Sequence, residues 1–221
     1  MTLTYAVGDV HGCLDKLKGL VAACRQHAGG DDMMLVFLGD YIDRGPDSAG
    51  VIRFMLSLQA DAPQHVVALK GNHEAMAVSL CDNNDAKQLA VWLRNGGEAT
   101  LASYGAVGVD GLPKAHLDWM RSLPLTYDDG HRLFVHAGVD PQKPLDAQVE
   151  DDLLWIREPF LDDNRHYGRL IVHGHTPLQT GKPDLRANRL NLDTAAVFGG
   201  ALTAAVFDDT QTVPVAIIQT R

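Results

Sequence analysis

Five short polar segments of this chain each follow an apolar run, at the point where a β-strand would end. They are Gly-Asp-Val-His-Gly at 8–12, Gly-Asp-Tyr-Ile-Asp-Arg-Gly at 39–45, Gly-Asn-His-Glu at 71–74, His-Ala-Gly at 136–138 and Gly-His-Thr at 174–176. Parallel strands bring their carboxyl ends to one edge of a sheet, so segments of this kind should meet there. The chain is therefore constrained to a fold that collects several strand ends around one polar site.

The apolar spacing of the first third predicts strands that alternate with helices. Strands are predicted at 3–7, 33–38 and 65–69, and helices are predicted to follow them from near Leu14, Pro46 and Glu74. Alternating strands and helices imply a parallel sheet with helices outside it. The middle of the chain, about 82–122, is predicted to be largely helical, with a helix stop at Asn95-Gly96-Gly97.

The C-terminal part changes to short strands separated by turn residues. Strands are predicted at 133–135, 170–172, 188–192, 201–207 and 213–218. Gly199-Gly200 is expected to form a hairpin turn between two of them. This order of elements predicts an α/β (α+β) fold in which two sheets face each other within one domain, residues 1–221, and helices cover the outer faces.

Charge and cysteine usage argue against several classes of function. The net charge of −9 over 221 residues should repel nucleic acid and acidic membrane surfaces, so a bound polyanion must be held by local cations. Cys13, Cys24 and Cys81 are odd in number and lack Cys-x-x-Cys spacing, which argues against a disulfide framework or a thiolate zinc site. The run 3–7 leads straight into the first polar segment and leaves no room for a signal peptide, so the cytoplasm is the expected compartment.

The polar segments supply both oxygen and imidazole ligands for metals. The candidate ligands are Asp9, His11, Asp40, Asn72, His136 and His175. This mixture suits a pair of divalent transition metals better than zinc alone, magnesium or calcium. Asp40 is the candidate shared ligand, because a carboxylate can bridge two cations about 3.5–4 Å apart. Asp9 and His11 are then expected on the first metal, and the remaining three residues on the second.

Each candidate ligand also has an ordinary structural interpretation when it is taken alone. Asp9 could be an acidic residue of a turn before a helix, and Asn72 could be a helix N-cap. His136 and His175 could be core or surface histidines. The occurrence of five such segments in one chain favours the metal site over these alternatives.

Four further residues are candidates for catalysis and phosphate binding. His73 is suited to act as the general acid that protonates the leaving oxygen, and Asp43 could orient it and raise its pKa. The alternative for Asp43 is a turn residue ahead of Arg44. The planar guanidinium groups of Arg44 and Arg157 suit phosphate oxygens, although Arg157 could equally be a surface arginine paired with an acid.

The segments resemble the signatures of the metallophosphoesterases, and within them of the phosphoprotein phosphatase family. Those signatures are Gly-Asp-x-His-Gly, Gly-Asp-x-x-Asp-Arg-Gly and Gly-Asn-His-Glu, and 8–12, 39–45 and 71–74 match them without a substitution. The stretches 92–97 and 192–194 are similar to the compact bacterial and phage serine/threonine protein phosphatases. His-Ala-Gly at 136–138 departs from the eukaryotic enzymes, which have a second glycine there.

The resemblance implies a calcineurin-like four-layer α/β/β/α sandwich of two mixed sheets with a dinuclear centre of manganese, iron or zinc, manganese being the first choice. It implies metal binding by the six candidate ligands, proton donation by His73 with Asp43 as its support, and phosphate binding by Arg44 and Arg157. The expected partner is a phosphorylated protein or a small phosphoester. The oligomeric state stays open.

The expected activity is hydrolysis of phosphate monoesters on serine or threonine, with a hydroxide held by both metals as nucleophile. The alternative is a symmetrical bis(5'-nucleosyl)-tetraphosphatase. Relatives with that activity typically show Ala-Arg-Gly at 43–45 and Asp at 74, where this chain has Asp43 and Glu74. A third interpretation, an inactive module that binds phosphorylated partners, is weakened because no ligand and no acid is missing.

Overall fold

Two five-stranded sheets form the centre of the structure, a computed structural model that describes residues 2–83 and 85–220. The first sheet contains β1 (Thr2–Val7), β2 (Asp32–Phe37), β3 (Val66–Ala68), β9 (Leu202–Phe207) and β10 (Ala216–Thr220). The second contains β4 (Thr126–Asp128), β5 (Arg132–Val135), β6 (Leu170–His173), β7 (Asp184–Leu185) and β8 (Arg189–Asn191). Each sheet has two parallel and two antiparallel strand pairings, so both sheets are mixed, as predicted.

The order of strands sets the direction of each strand end. In the first sheet β1, β2 and β3 run parallel. On the other side of β1 the sheet continues with β9, which pairs antiparallel with β1, and with β10, which pairs antiparallel with β9. In the second sheet β5, β6 and β8 run parallel between the antiparallel edge strands β4 and β7. The polar segments follow β1, β2, β3, β5 and β6, so each sheet contributes the carboxyl ends of its parallel strands to the site.

Within the described ranges, seven α-helices lie between these strands. They are α1 (Leu14–Ala28), α2 (Ser48–Asp61), α3 (Asn72–Asn83), α4 (Ala86–Trp92), α5 (Glu98–Tyr104), α6 (Lys114–Ser122) and α7 (Glu150–Trp155). Helices α4 to α6 lie within the predicted segment 82–122, in which Asn84 is outside the described residues. The first and last residues of the predicted domain 1–221 are also outside them. Gly96, with a φ of 101°, separates α4 from α5 and stands in the predicted helix stop.

Alternation along the strands places apolar side chains on both faces of each sheet. Ala6 and Val36 of the first sheet pack with Phe134 and Val172 of the second, and this layer is buried. The neighbouring residues Tyr5, Val7, Leu35 and Phe37 pack against the helices on the other face of the first sheet. Strands buried on both faces read as continuous apolar runs, which explains why they could be recognised in the sequence.

The outer face of the second sheet has a thinner cover than that of the first. Leu133 and Ile171 pack there against Leu153 of α7 and against Phe160 from the loop that follows. The fourth layer therefore consists of one six-residue helix and irregular chain. Among the described residues, no helix combines the length and the apolarity that a bilayer crossing requires. All three cysteines are free.

The expected hairpin at Gly199-Gly200 is wrong. The strands on either side of it, β8 and β9, belong to different sheets, so the connection crosses the sandwich. A short 3₁₀ turn at Ala196–Phe198 makes this crossing, and Lys16 Nζ donates to the carbonyls of Ala196 at 2.8 Å and Gly200 at 2.6 Å. A glycine pair marks a turn but does not show which sheet the next strand joins.

Candidate active site

The structure brings together the side chains that follow the parallel strands of both sheets. Asp9 and His11 follow β1, Asp40 follows β2, and Asn72 opens α3 directly after β3. His136 and His175 come from the second sheet, after β5 and β6. All six side chains are buried, with exposed fractions of 7% or less. These six residues, scattered over most of the chain, therefore lie at a single site.

Asp40 stands between two groups of possible metal ligands. Its Oδ2 atom lies 3.3 Å from His11 Nε2, and its Oδ1 atom lies 3.4 Å from His136 Nε2. The ligand atoms of His11, Asp40 and His73 lie within 4.8 Å of one another, and so do those of Asp40, His136 and His175. One carboxylate thus directs one oxygen to each group, which is the arrangement of a shared ligand between two ions.

The imidazole of His136 shows why these residues fit a cation. Its Nδ1 lies 2.9 Å from the carbonyl oxygen of Leu38, which can only accept, so Nδ1 carries the proton. Burial lowers the pKa of His136 to about 3, so the ring is neutral and Nε2 presents a lone pair. That lone pair faces Asp40 Oδ1 at 3.4 Å. A bound cation would satisfy both groups.

His11 and His175 have the same character. The Nδ1 atom of His11 lies 2.8 Å from the carbonyl oxygen of Ile42, which leaves its Nε2 directed at the site. Burial lowers the pKa of His11 well below its usual range and that of His175 to about 2, so both rings are neutral. His175 Nδ1 lies 2.9 Å from Asn72 Oδ1, and His136 Nε2 lies 2.8 Å from the same oxygen. Asn72 therefore connects the two histidines of the second sheet.

Asp9 stands in neither of the two groups. Its carboxylate accepts the backbone N–H of His175 at 3.1 Å, and burial raises its pKa, with the charges of Asp193 and Asp40 adding to the rise. A Cβ at Gly174 would lie 2.0 Å from Asp9 Oδ1, so only glycine lets the carboxylate approach this backbone. His73, expected to act as an acid, occupies the first group beside His11 and Asp40.

His73 and Asp43 form a close buried pair. His73 Nδ1 lies 2.6 Å from Asp43 Oδ2, and both residues are fully buried. Its other ring nitrogen, Nε2, has no hydrogen-bond partner within the described chain and lies 3.8 Å from Asp40 Oδ2. Burial lowers the pKa of His73 well below its usual range, and the charge of Arg44 adds to this. Burial raises the pKa of Asp43 to about 7, although hydrogen bonds from Thr100 and Trp92 oppose the rise.

The two arginines approach the site from different sides. The half-buried Arg44 places Nη1 2.7 Å from His11 Nε2, and its guanidinium lies 5.8 Å from the ring centre of the exposed Phe198. Arg157 is exposed after α7, and its charge adds to the burial that lowers the pKa values of His136 and His175. Both cationic groups are therefore close enough to act on the same site.

Five residues of the site have left-handed backbone conformations although none is glycine. They are His11 (φ 43°), Asp40 (φ 54°), Asp43 (φ 71°), Arg44 (φ 66°) and His175 (φ 63°). Non-glycine residues rarely adopt this region, and such conformations concentrate at functional sites where the surrounding structure holds them. The site is therefore held in a conformation that these residues disfavour.

Glu74 holds the loop after β2 in this conformation, a role that sequence reasoning missed. Its carboxylate accepts four backbone N–H groups, those of Asp40, Tyr41, Ile42 and Gly71, at 2.8–3.2 Å. Burial raises the pKa of Glu74 to about 7, and the N–H donors oppose the rise. Its position in the polar segment 71–74 was the feature of the sequence that could have indicated this role.

Asp193 is a second residue of the site that was missed. It follows β8 in the second sheet, is buried, and its charge acts on Asp9. Burial raises the pKa of Asp193 to about 6. The strand-end pattern that identified the other residues also applies to Leu-Asp-Thr at 192–194, so this position could have been found.

A groove of about 590 Å³ lies beside the metal-ligand cluster, between α3, α4 and α7. Its lining includes Met76, Val91, Leu154 and Trp155. The Trp155 ring meets the His175 ring edge to face, with 6.1 Å between their centres. Trp155 therefore borders both the groove and the side chain of His175.

Comparison with known proteins gives the class of this chain. The calcineurin-like phosphoesterase family matches residues 3–202, and the chain belongs to this family. It is a metallophosphoesterase and a hydrolase, from a family that depends on a dinuclear metal centre. The predicted fold class and family are confirmed.

Individual relatives differ in the substrate that their names give. Serine/threonine-protein phosphatase 1 of Salmonella typhimurium is 33% identical over 210 residues, covering 91% of this chain and 90% of the relative. The asymmetrical bis(5'-nucleosyl)-tetraphosphatase PrpE of Anoxybacillus flavithermus is 30% identical, covering 95% and 92%. The structure of a protein serine/threonine phosphatase from Saccharomyces cerevisiae covers 100% of this chain and 80% of that one with a TM-score of 0.66; at 18% identity it supports the fold alone.

Proposed function

We propose that this protein hydrolyses phosphate monoesters on serine or threonine residues of proteins, with two divalent ions as cofactors. The observation that carries the proposal is the close His73–Asp43 pair, 2.6 Å apart, beside a carboxylate that directs one oxygen to each of two ligand groups. A proton donor and a two-ion site at the same place are the parts that cleavage of a phosphorus–oxygen bond requires.

Six residues are proposed to hold the ions. Asp9, His11 and Asp40 would hold one, and Asp40, Asn72, His136 and His175 the other, with manganese as the proposed metal. When bound, two divalent ions lower the pKa of a water molecule and neutralise phosphate oxygens. The neutral imidazoles of the three histidines present lone pairs to these ions without first losing a proton.

His73 is the proposed general acid. Asp43 accepts its Nδ1–H, so Nε2 faces Asp40 and the site. The negative charge of a bound phosphate would favour the doubly protonated ring, whose Nε2–H would then pass to the departing alkoxide. Arg44 and Arg157 are proposed to hold the phosphate oxygens, because one reaches the ligand cluster and the other stands at its rim. The groove beside Trp155 would receive the residues next to the phosphorylated one.

The likeness to serine/threonine-protein phosphatase 1 over nine-tenths of both chains supports a protein substrate. The second candidate, hydrolysis of dinucleoside tetraphosphates, is favoured by the relative from Anoxybacillus flavithermus, which carries that activity in its name. The contacts of Asp43 and Glu74 support the first candidate over a symmetrical tetraphosphatase, since relatives with that activity typically have other residues at both positions. A cytoplasmic location is part of the same proposal.

Side-by-side measurement of kcat/KM tests the choice of substrate. A phosphoserine peptide and a dinucleoside tetraphosphate are assayed with the same manganese-loaded protein, and Asp61→Asn serves as a surface control. We expect the peptide to be preferred by at least about tenfold, which corresponds to about 1.4 kcal/mol in the transition state. Preference for the tetraphosphate by the same factor would establish the second candidate. Hydrolysis of neither ester, nor of an aryl phosphate, would leave a binding module.

A further inference from the structure

The Asp43 carboxylate is surrounded by side-chain donors. Besides His73 Nδ1 at 2.6 Å, its Oδ2 atom accepts the indole Nε1–H of Trp92 at 2.8 Å. Its Oδ1 atom accepts the hydroxyl of Thr100 at 2.6 Å. Trp92 and Thr100 are fully buried. The carboxylate therefore has three donors on its two oxygens and no freedom to turn away from His73.

The two additional donors come from the helical middle of the chain. Trp92 is the last residue of α4, 49 positions from Asp43, and Thr100 lies in α5, 57 positions away. Neither belongs to a segment that supplies metal ligands. This part of the chain therefore contacts the carboxylate behind the proton donor.

The backbone around these donors is also fixed. The left-handed turn at Gly96 directs its carbonyl to the N–H of Arg44 at 3.0 Å. A Cβ at Gly97 would lie 2.4 Å from the Trp92 ring, so the indole packs directly on the backbone. Thr100 Oγ1 also accepts the backbone N–H of Asp43 at 2.8 Å. Thr100 thus holds both the backbone and the side chain of Asp43, which has a φ of 71°.

We propose that Trp92 and Thr100 are positioning residues for leaving-group protonation, which hold Asp43 so that it orients His73 toward the departing oxygen. This inference rests on the proposed function. An acceptor-only carboxylate fixed by three donors keeps the Nδ1–H of His73 in one direction and its Nε2 in the site. When one of the two donors is removed, the imidazole can turn. Hydrolysis should then slow more for an ester whose leaving group needs a proton than for an ester whose leaving group does not.

Comparing the rates on two esters with different leaving groups distinguishes this positioning role from a purely structural one. Trp92→Phe removes the indole N–H, and Thr100→Val removes the hydroxyl while conserving the side-chain shape. We expect both variants to reduce kcat on a phosphoserine peptide by about 10–100-fold, a part of what general acid catalysis contributes. On an aryl phosphate, whose phenolate leaves without a proton, we expect a loss below about threefold, with KM nearly unchanged on both.

The controls retain the hydrogen bond or move the change elsewhere. Thr100→Ser keeps the hydroxyl and should restore the rate on the peptide. Trp119→Phe removes an indole N–H in α6 that is donated to Gln59 Oε1 at 2.6 Å and not to Asp43. This variant should hydrolyse both esters at the unmodified rate. Equal loss on both esters in Thr100→Val, or no loss on the peptide, would overturn the proposal.

A proton NMR measurement keeps the inference testable apart from turnover. The His73 Nδ1–H in its short bond to Asp43 should give a protected, far-downfield resonance in the protein without added metal, assigned by its loss in His73→Asn. Trp92→Phe and Thr100→Val should broaden or remove it, and Thr100→Ser and Trp119→Phe should keep it. An unchanged resonance in both variants would refute the positioning role. Absence of any hydrolysis by the unmodified protein would instead refute the proposed function.

Discussion

Replacing Asp40 by Asn should separate the stability of the metal-free protein from the stabilisation that metal provides. Asp40 directs Oδ2 at His11 and Oδ1 at His136, at 3.3 and 3.4 Å. An amide keeps one oxygen and replaces the other by a nitrogen that cannot bind a cation. The variant therefore keeps the shape of the side chain and loses the shared ligand for at least one of the two ions.

The magnitude follows from the ion that is lost. An ion present at about 100 times its dissociation constant stabilises the folded protein by about 2.7 kcal/mol. In a chain of 221 residues this corresponds to about 5–11 °C in Tm, at about 2–4 °C per kcal/mol. We expect Asp40→Asn to lose at least this part of the metal-induced shift. Turnover of a phosphoserine peptide should fall by at least about 100-fold.

The metal-free protein should respond in the opposite direction. Burial raises the pKa of Asp40, with the charge of Glu74 adding to the rise, so the folded state keeps this proton to a higher pH than the unfolded state does. Stability from this carboxyl group is complete below its ordinary pKa and is lost as pH rises through the raised one. Asparagine does not titrate. Without metal, the variant should therefore be as stable as the unmodified protein or more so, increasingly at higher pH.

Thermal unfolding with EDTA and with excess manganese, together with the number of ions bound per chain, measures both effects. Asp61→Asn makes the same change of charge at the exposed end of α2 and should alter neither quantity by more than about 0.5 kcal/mol. Two bound ions and a full metal-induced shift in Asp40→Asn would refute the bridging role. A large loss of stability in EDTA alone would show that the carboxylate is structural.

Three further predictions concern the core, the rim and the protons of the site. Phe134→Ala leaves a cavity between the sheets and should reduce the free energy of unfolding by about 3–5 kcal/mol, measured by urea denaturation at constant metal concentration. A reduction below about 1 kcal/mol would contradict the packing. Arg157→Ala should lower kcat/KM for the peptide by about 10–100-fold without changing Tm, since a charged hydrogen bond contributes about 1.5–3 kcal/mol; an unchanged value would make it a surface arginine. Manganese binding should release protons from Asp9 and Asp40 at pH values between their ordinary and their raised pKa, and none from the neutral His136. The affinity should rise with pH over this range, and calorimetry in two buffers that finds no proton release anywhere in it would contradict the prediction.

The strands and the site were predictable because their signals are local. The runs 3–7 and 33–38 are largely apolar and lie within one residue of β1 and β2, and parallel strands must bring their polar ends to one edge. The edge strands β4 and β7 have three residues or fewer, which is too short to establish a period. The crossing at 195–201 was missed because its destination depends on the packing of two sheets.

The arrangement inside the site was less predictable. Left-handed backbone at His11 and Asp40 cannot be read from residue types that normally avoid it. It depends on Glu74, whose carboxylate accepts the backbone N–H of Asp40 after β2 and that of Gly71 after β3. The donors from Trp92 and Thr100 reach Asp43 across about a quarter of the chain, and no spacing rule connects positions that far apart.

The buried carboxyl groups indicate why folding and ion binding should be coupled in this protein. Asp9, Asp40 and Asp193 lie at one site, and burial raises the pKa of each of them, which means that their charged forms oppose folding. Strained left-handed backbone at a site residue reduces the stability of the folded state further, by about 1–3 kcal/mol. Two divalent cations at this site would offset the repulsion between these carboxylates and lower their pKa values. The same residues that weaken the metal-free fold therefore select for ions, and the stability gained on binding should scale with the carboxylates that remain.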